Sequence, residues 1–226
     1  MSQSVQVPID SIVLAGDLAI PAGARGLVLF AHGSGSSRHS PRNQFVARAL
    51  ERQGLATLLI DLLTLEEEAR DRYTAELRFD ITLLGKRLVG VIDWLADQPA
   101  TKELRVGLFG ASTGGGAALV AAAARPDRVA AVVSRGGRPD LAGASLPLVH
   151  TPTLLIVGGD DEPVIAMNRA AMRLMRAPVT LEIVPGATHL FEEPGTLERV
   201  ATLAAAWFAE HCAAGVEMSP GVISEK

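Results

Sequence analysis

Five short and nearly uninterrupted apolar runs constrain this chain most: Gly26–Ala31 (GLVLFA), Leu55–Ile60 (LATLLI), Leu104–Phe109 (LRVGLF), Val129–Ser134 (VAAVVS) and Thr153–Val157 (TLLIV). A strand that is apolar at successive positions has both faces buried, which is the situation of a parallel strand covered by helices. Helical segments lie between the runs. Ser40-Pro41 reads as an N-cap with proline at the first helical position, opening a helix to about Gly54. From Leu77, apolar residues at 77, 81, 84, 88, 91, 92 and 95 keep helical spacing to about Asp97. Further helices are expected over Thr113–Arg125, from about Val164 to Met175, and over Pro194–Cys212, and a last strand over Val179–Val184. At the start, Val5–Ile9 and Ile12–Ile20, joined by Asp10-Ser11, read as an antiparallel pair. The alternation predicts an α/β fold with a mostly parallel central sheet of about eight strands, an antiparallel N-terminal pair and helices on both faces. Every crossover is short, so a single domain over 1–214 without a lid insertion is expected. Residues 61–75 resist assignment, and the segment 215–226 lacks periodicity and is expected to fray.

Composition narrows the function. Hydrophobic residues make up 48% of the chain and charged residues 20%, enough apolar surface to bury a core. The formal charge of −4 argues against affinity built on phosphate neutralisation, so no nucleic-acid partner is expected. One cysteine, Cys212, excludes an internal disulfide and any multi-cysteine zinc site. The first ten residues have neither a basic nor an apolar signal region, and no run approaches the ~18 apolar residues of a spanning helix. A soluble cytoplasmic protein with no membrane partner is the expectation.

The chemistry is concentrated where Leu104–Phe109 runs into the small-residue helix: Gly110-Ala111-Ser112-Thr113-Gly114 is G-x-S-x-G. Between a strand and a helix this is a nucleophile elbow, a tight turn that lifts the serine Oγ clear of the sheet. Glycines two positions either side remove Cβ atoms the turn cannot hold. The Thr113 backbone N–H then faces a reacting carbonyl oxygen at a helix N-terminus. The same glycines fit the G-x-x-x-G-x-G turn of short-chain dehydrogenases. That turn belongs after a first strand, and its Y-x-x-x-K pair is absent, since Tyr73 has Leu77 four residues on. No lysine follows the glycines, which excludes a Walker loop.

A serine needs a base and the base an acid. Enzymes built on this elbow place both after the serine, which leaves His150, His189 and His211. His189, in Pro185-Gly186-Ala187-Thr188-His189, follows the last strand at the carboxyl end of the sheet, where open α/β sheets bind ligands. His150 precedes a strand, at the opposite edge, and His211 sits in the last turn of the last helix. For the acid, Gly158-Gly159-Asp160-Asp161 offers two adjacent aspartates, either of which could instead cap the next helix.

With HGSGSS (32–37), GASTGG (110–115), GGDDEPV (158–164) and PGATHLF (185–191) in order, nearly the whole chain resembles the α/β-hydrolase superfamily, and within it the small lidless dienelactone hydrolase-like group. The resemblance implies an α/β-hydrolase fold with a catalytic triad of Ser112, His189 and Asp161, because Gly158, Asp161 and Val164 match the G-x-x-D-x-x-V of these proteins. It also implies a second oxyanion donor in the His32-Gly33 loop, the backbone N–H of Ser34, beside that of Thr113. His32 itself is read as structural. Dienelactone hydrolases resemble G-x-C-x-G-G at the elbow. Ser112 stands there in this chain, which points to a general serine esterase.

The expected activity is hydrolysis of small esters, lactones or thioesters through an acyl-enzyme. The alternatives are a catalytically silent binding protein of the same fold and an acyltransferase using the same residues. No metal or cofactor is implied, because side chains and two backbone donors complete the chemistry. Arg38 and Arg42 after the oxyanion loop, and Arg135 and Arg138 after the strand that follows the elbow helix, are candidates to bind an anionic substrate. The competing reading pairs them with Asp61, Asp140 or the Glu66–Glu68 run, itself expected to be a solvated helix face. The expected partner is thus a small ester-type molecule, anionic if Arg38, Arg135 or Arg138 faces it. A homodimer is left open. The substrate is expected in an open cleft between the loops 32–42, 61–75, 135–150 and 185–193. Trp94 and Trp207 fall on apolar stripes and are expected in the core.

Overall fold

The structure, a computed structural model, describes residues 2–212. The segment expected to fray, 215–226, lies outside them. The chain opens with the antiparallel strands β1 (Gln3–Ile9) and β2 (Ile12–Ala19), whose register pairs Ile9 with Ile12 at the turn. Then follow β3 (Leu27–Ala31), α1 (Pro41–Arg52), β4 (Ala56–Ile60), α2 (Leu65–Thr74), α3 (Ile81–Asp97), β5 (Val106–Ala111) and α4 (Thr113–Ala124). The last elements are β6 (Val129–Arg135), β7 (Thr153–Gly158), α5 (Glu162–Met172), β8 (Val179–Val184) and α6 (Thr196–Cys212). All eight strands form one sheet in the order β1-β2-β4-β3-β5-β6-β7-β8. β2 runs antiparallel to β4, and β3 to β8 are mutually parallel, which is the architecture read from the alternation.

Every residue of β3, β4, β5, β6 and β7 is buried. Neighbouring residues in a strand point to opposite faces, so each strand feeds two cores. Leu29, Leu58, Leu108 and Val132 join Leu88 and Val91 of α3. Phe30, Phe109 and Val133 join Val46 and Leu50 of α1 and Phe208 of α6. Phe30 and Phe109 stack across the β3–β5 pair with ring centroids 4.9 Å apart. Each such side chain contributes about 1.5–3 kcal/mol on burial. Trp94 and Trp207 are only partly buried and pack at the edges of these cores. The last turn of α6 sets Cys212, fully buried, against β3 and β5, where a Cβ on Gly26 would meet its Cβ at 2.9 Å and one on Gly107 its Sγ at 3.0 Å. Burial pushes the Cys212 thiol up to about 12.

Two segments depart from the sequence reading. The unassigned stretch after β4 contains α2, opened by a capping box: Thr64 Oγ1 accepts from Glu67 N–H at 3.2 Å, and the Glu67 carboxylate accepts from Thr64 N–H at 2.8 Å. Its one buried residue is polar, Asp71, so no apolar stripe betrays it. The helix expected from Leu77 begins at Ile81, capped by Asp80, and Leu77–Phe79 form a separate 3-10 turn. The Glu66–Glu68 run is not simply solvated, because Glu67 bonds the buried Arg87 of α3 at 2.5 and 2.6 Å. Among the described residues no helix is long and apolar enough to cross a membrane.

Candidate active site

The elbow is a consequence of close packing at the end of β5. Ser112 has φ 51° and ψ −121°, a conformation that costs an L-residue on the order of 1–3 kcal/mol and persists where its surroundings impose it. They do so here. A Cβ on Gly110 would lie 2.5 Å from the Gly114 carbonyl oxygen, and one on Gly114 would lie 2.7 Å from the carbonyl oxygen of His32. The Ser112 N–H donates to the Arg135 carbonyl at 3.2 Å, and the Ser112 carbonyl accepts from Gly115 and Arg138 N–H, each at 3.0 Å. The Thr113 N–H, first in α4, has no partner in the helix.

Asp161 and His189 come from the ends of β7 and β8. Asp161 occupies the N-cap position of α5 yet makes no capping bond, because its carboxylate instead accepts from His189 Nδ1–H at 2.7 Å. His189 Nε2 lies 3.4 Å from Ser112 Oγ. That is longer than a working hydrogen bond but within the looseness of an unliganded site. Asp160 is exposed, and its N–H donates to the Ala187 carbonyl at 3.0 Å. His150 is exposed at the opposite end of β7, and His211 lies in the last turn of α6. The carboxylate thus holds the imidazole so that Nε2 faces the serine.

His32 bridges the ends of β3 and β4. Its Nε2 accepts from Leu62 N–H at 3.1 Å, and its Nδ1 lies 3.0 Å from the Gly33 carbonyl, which assigns the proton to Nδ1. Ser34 is placed beside the elbow as expected, but its N–H is not vacant: it donates to Thr113 Oγ1 at 2.9 Å.

The arginine candidates separate. Arg38 is paired with Asp61 and lies 3.4 Å from Asp17; Arg42 pairs with Glu192 at 2.9 Å and Arg138 with Asp140 at 2.7 Å. Arg38 and Arg138, candidates to bind an anionic substrate, thus each meet a local carboxylate of the kind the competing reading named, Asp61 and Asp140. Among the described residues Arg135 has no carboxylate partner. It is 7% exposed, donates to the Leu190 carbonyl at 3.4 Å and sits 5.8 Å above the Phe191 ring. Burial, with Arg42 nearby, lowers its guanidinium to about 10. It braces the underside of the loop that carries His189 and does not line the hollow beside the elbow.

That hollow, of about 220 Å³, is bounded by Ser34, Ser36, Leu63, Arg72, Arg78 and Thr113 among others. Of the four loops expected to form an open cleft, 32–42 and 61–75 line this hollow, and Ser112 and His189 are not among its lining residues. α2 forms one wall, and neither 135–150 nor 185–193 contributes to it. Arg72 and Arg78 were not among the arginines the sequence singled out, and Arg78 is held by Asp71 at 2.6 Å. The signal that could have found this wall is the capping box at Thr64–Glu67.

An eight-stranded, mostly parallel sheet with a strained serine between β5 and α4 defines an α/β-hydrolase. A model of the dienelactone hydrolase family matches residues 14–211, and the chain belongs to that family. A dienelactone hydrolase from Anabaena variabilis is 61% identical, with a TM-score of 0.93 over 94% of this chain and 98% of that one. Est1E from Butyrivibrio proteoclasticus shares the fold at 17% identity, with a TM-score of 0.76 over 92% of this chain and 98% of that one. A Mycobacterium tuberculosis protein provisionally named a phosphoribosyl transferase is 59% identical over 209 residues, 92% of this chain. Those residues are 46% of that protein, so the chain spans about half the length of this curated relative.

Proposed function

We propose that this chain is a serine hydrolase that cleaves small esters, lactones or thioesters through an acyl-enzyme on Ser112. One observation carries the reading: the continuous line from Asp161 to His189 Nδ1 at 2.7 Å and from His189 Nε2 to Ser112 Oγ at 3.4 Å, ending on a strained elbow. In this reading Ser112 Oγ attacks the substrate carbonyl carbon as its proton passes to His189 Nε2. The carbonyl π electrons move to oxygen and return as the bond to the leaving group breaks. His189 gives its proton to that leaving group, then takes one from the water that attacks the acyl carbon and returns it to Ser112 Oγ as the acyl–Oγ bond breaks and the acid leaves. Asp161 fixes the tautomer and stabilises the imidazolium.

The phosphoribosyl transferase name of the mycobacterial relative is carried by a protein about twice as long as the match. The arrangement of Ser112, His189 and Asp161 serves acyl transfer, so we assign that name no role in this chain.

The test is labelling with a fluorophosphonate, with the modified residue mapped by mass spectrometry. The expected adduct is on Ser112, and Ser112→Ala loses the adduct and on the order of 10⁴-fold or more of ester turnover. An adduct on another residue, or near-parental kcat in Ser112→Ala, overturns the assignment.

A further inference from the structure

The Ser34 N–H, one of two backbone groups expected to face the oxyanion, is already spent on Thr113 Oγ1 at 2.9 Å. That contact joins residues 79 positions apart and is not adjustable at will. Gly33 lies so close to the elbow that a Cβ there would be 3.2 Å from both the Ala111 carbonyl oxygen and Ser112 Cβ. The loop bearing Ser34 is therefore docked on the residues that bear the nucleophile.

A hydroxyl has one proton to give and two lone pairs to receive. Thr113 receives from Ser34, and among the described residues its own proton has no acceptor. A helical threonine ordinarily donates back to the carbonyl three or four residues earlier. Here those residues are Gly110 and Phe109, in β5, whose carbonyls lie in the plane of the sheet between β3 and β6. Thr113 is 4% exposed and is among the residues that line the hollow beside the elbow.

We propose that the Thr113 hydroxyl is itself an oxyanion donor, with Ser34 N–H acting through it. Ser34 holds Thr113 Oγ1 as an acceptor, and the Thr113 O–H then points to the substrate carbonyl oxygen beside the Thr113 N–H. Both donors come from the first residue of α4, at the positive end of the helix. Accepting from Ser34 also polarises the O–H and strengthens it as a donor. No proton is transferred; the bond shortens as negative charge builds on the oxygen. This inference rests on the acyl-transfer reading of Ser112.

Thr113→Val and Thr113→Ser test it, assayed for kcat and KM on a short-chain ester and for affinity toward a boronic acid that mimics the tetrahedral state. Losing one oxyanion donor costs about 10²–10³ in kcat. Thr113→Val should therefore lose about 100-fold in kcat and a similar factor in boronic acid affinity, with KM within about threefold. Thr113→Ser should stay within about fivefold on all three readings, since it keeps the hydroxyl. If Thr113→Val does not fold by circular dichroism, Thr113→Ala must show the same split between kcat and KM. Near-parental kcat in a folded variant lacking the hydroxyl, while Ser112→Ala is inactive, overturns the proposal: Ser34 N–H then serves the oxyanion directly. Equal losses in Thr113→Ser and Thr113→Val overturn it in favour of packing. An active Ser112→Ala removes the acyl-transfer reading first, and this proposal with it.

Discussion

On one side of Ser112 the loops that carry Asp161 and His189 meet other backbone too closely to admit a methyl group. On the other side α2 buries a single side chain, and that one is Asp71. A Cβ on Gly158 would stand 2.6 Å from the Thr188 carbonyl oxygen. Phe191, fully enclosed at 1% exposure with φ 56°, closes the same loop from behind. The α2 side is held by charge: Glu67 bonds Arg87, and Asp71 accepts from Leu77 N–H and Arg78 Nε, each at 2.6 Å. Close packing fixes geometry to fractions of an ångström, which a proton relay needs. Ion pairs fix it less tightly and respond to pH, which a pocket wall tolerates.

The sharpest way to break this contrast is to exchange two neighbouring carboxylates. Asp161→Asn should cost on the order of 10³–10⁴ in kcat, because the amide cannot hold the imidazole in the working tautomer. Asp160→Asn, on an exposed residue, should stay within about threefold. Steady-state kinetics on one ester decides it, and the reverse ranking would move the acid by one residue.

A smaller effect is expected from filling the tight side. Gly158→Ala must push the Thr188 carbonyl away, an overpacking cost of about 1–3 kcal/mol. A fall in Tm of roughly 3–10 °C follows for a chain of this size, with kcat reduced because the shifted loop bears His189. Unchanged Tm and kcat would show that this wall yields as easily as α2.

The smallest effect is confined to α2. The Arg87 guanidinium holds the Glu67 carboxyl below its ordinary 4.5, with the Thr64 N–H assisting against burial. Burial alone would raise Asp71 above 3.8, but Arg78 and the Leu77 N–H outweigh it and hold the carboxyl low. A carboxyl lowered in the fold adds stability that is complete above its unfolded value and fades as pH falls through its folded one. Lowering the pH from 7 to 5 should leave α2 intact, and below about 4 it should loosen. Hydrogen exchange of peptides covering 65–74, corrected for intrinsic rates, checks this against peptides covering 106–124. Equal loss of protection in both would mean that α2 is part of the main cooperative unit.

The strands were legible because burial on both faces writes itself as unbroken apolar runs, and the elbow because its glycines are local. His189 stood out because it follows β8 at the carboxyl end of the sheet, whereas the end of β7 offered both Asp160 and Asp161, and only the family resemblance preferred Asp161. α2 was not, since periodicity searches for an apolar stripe and its buried residue is Asp71; Thr64 and Glu67 carried the readable signal. Arg38 and Arg138 could not be separated from Arg135 in sequence. Asp61 and Asp140 were available to pair with the first two, and only the fold shows Arg135 buried with no carboxylate partner among the described residues. The engagement of Ser34 by Thr113 was out of reach for the same reason, since it depends on where two distant loops dock.

Cys212 gives the molecule a built-in reporter. Enclosed at the end of α6, with its thiol pushed up to about 12, it offers an alkylating reagent almost no thiolate while the helix stays docked. The rate at which iodoacetamide consumes this one sulfur at neutral pH therefore clocks how often the last turn of α6 lifts off β3 and β5, in a native sample and without denaturant.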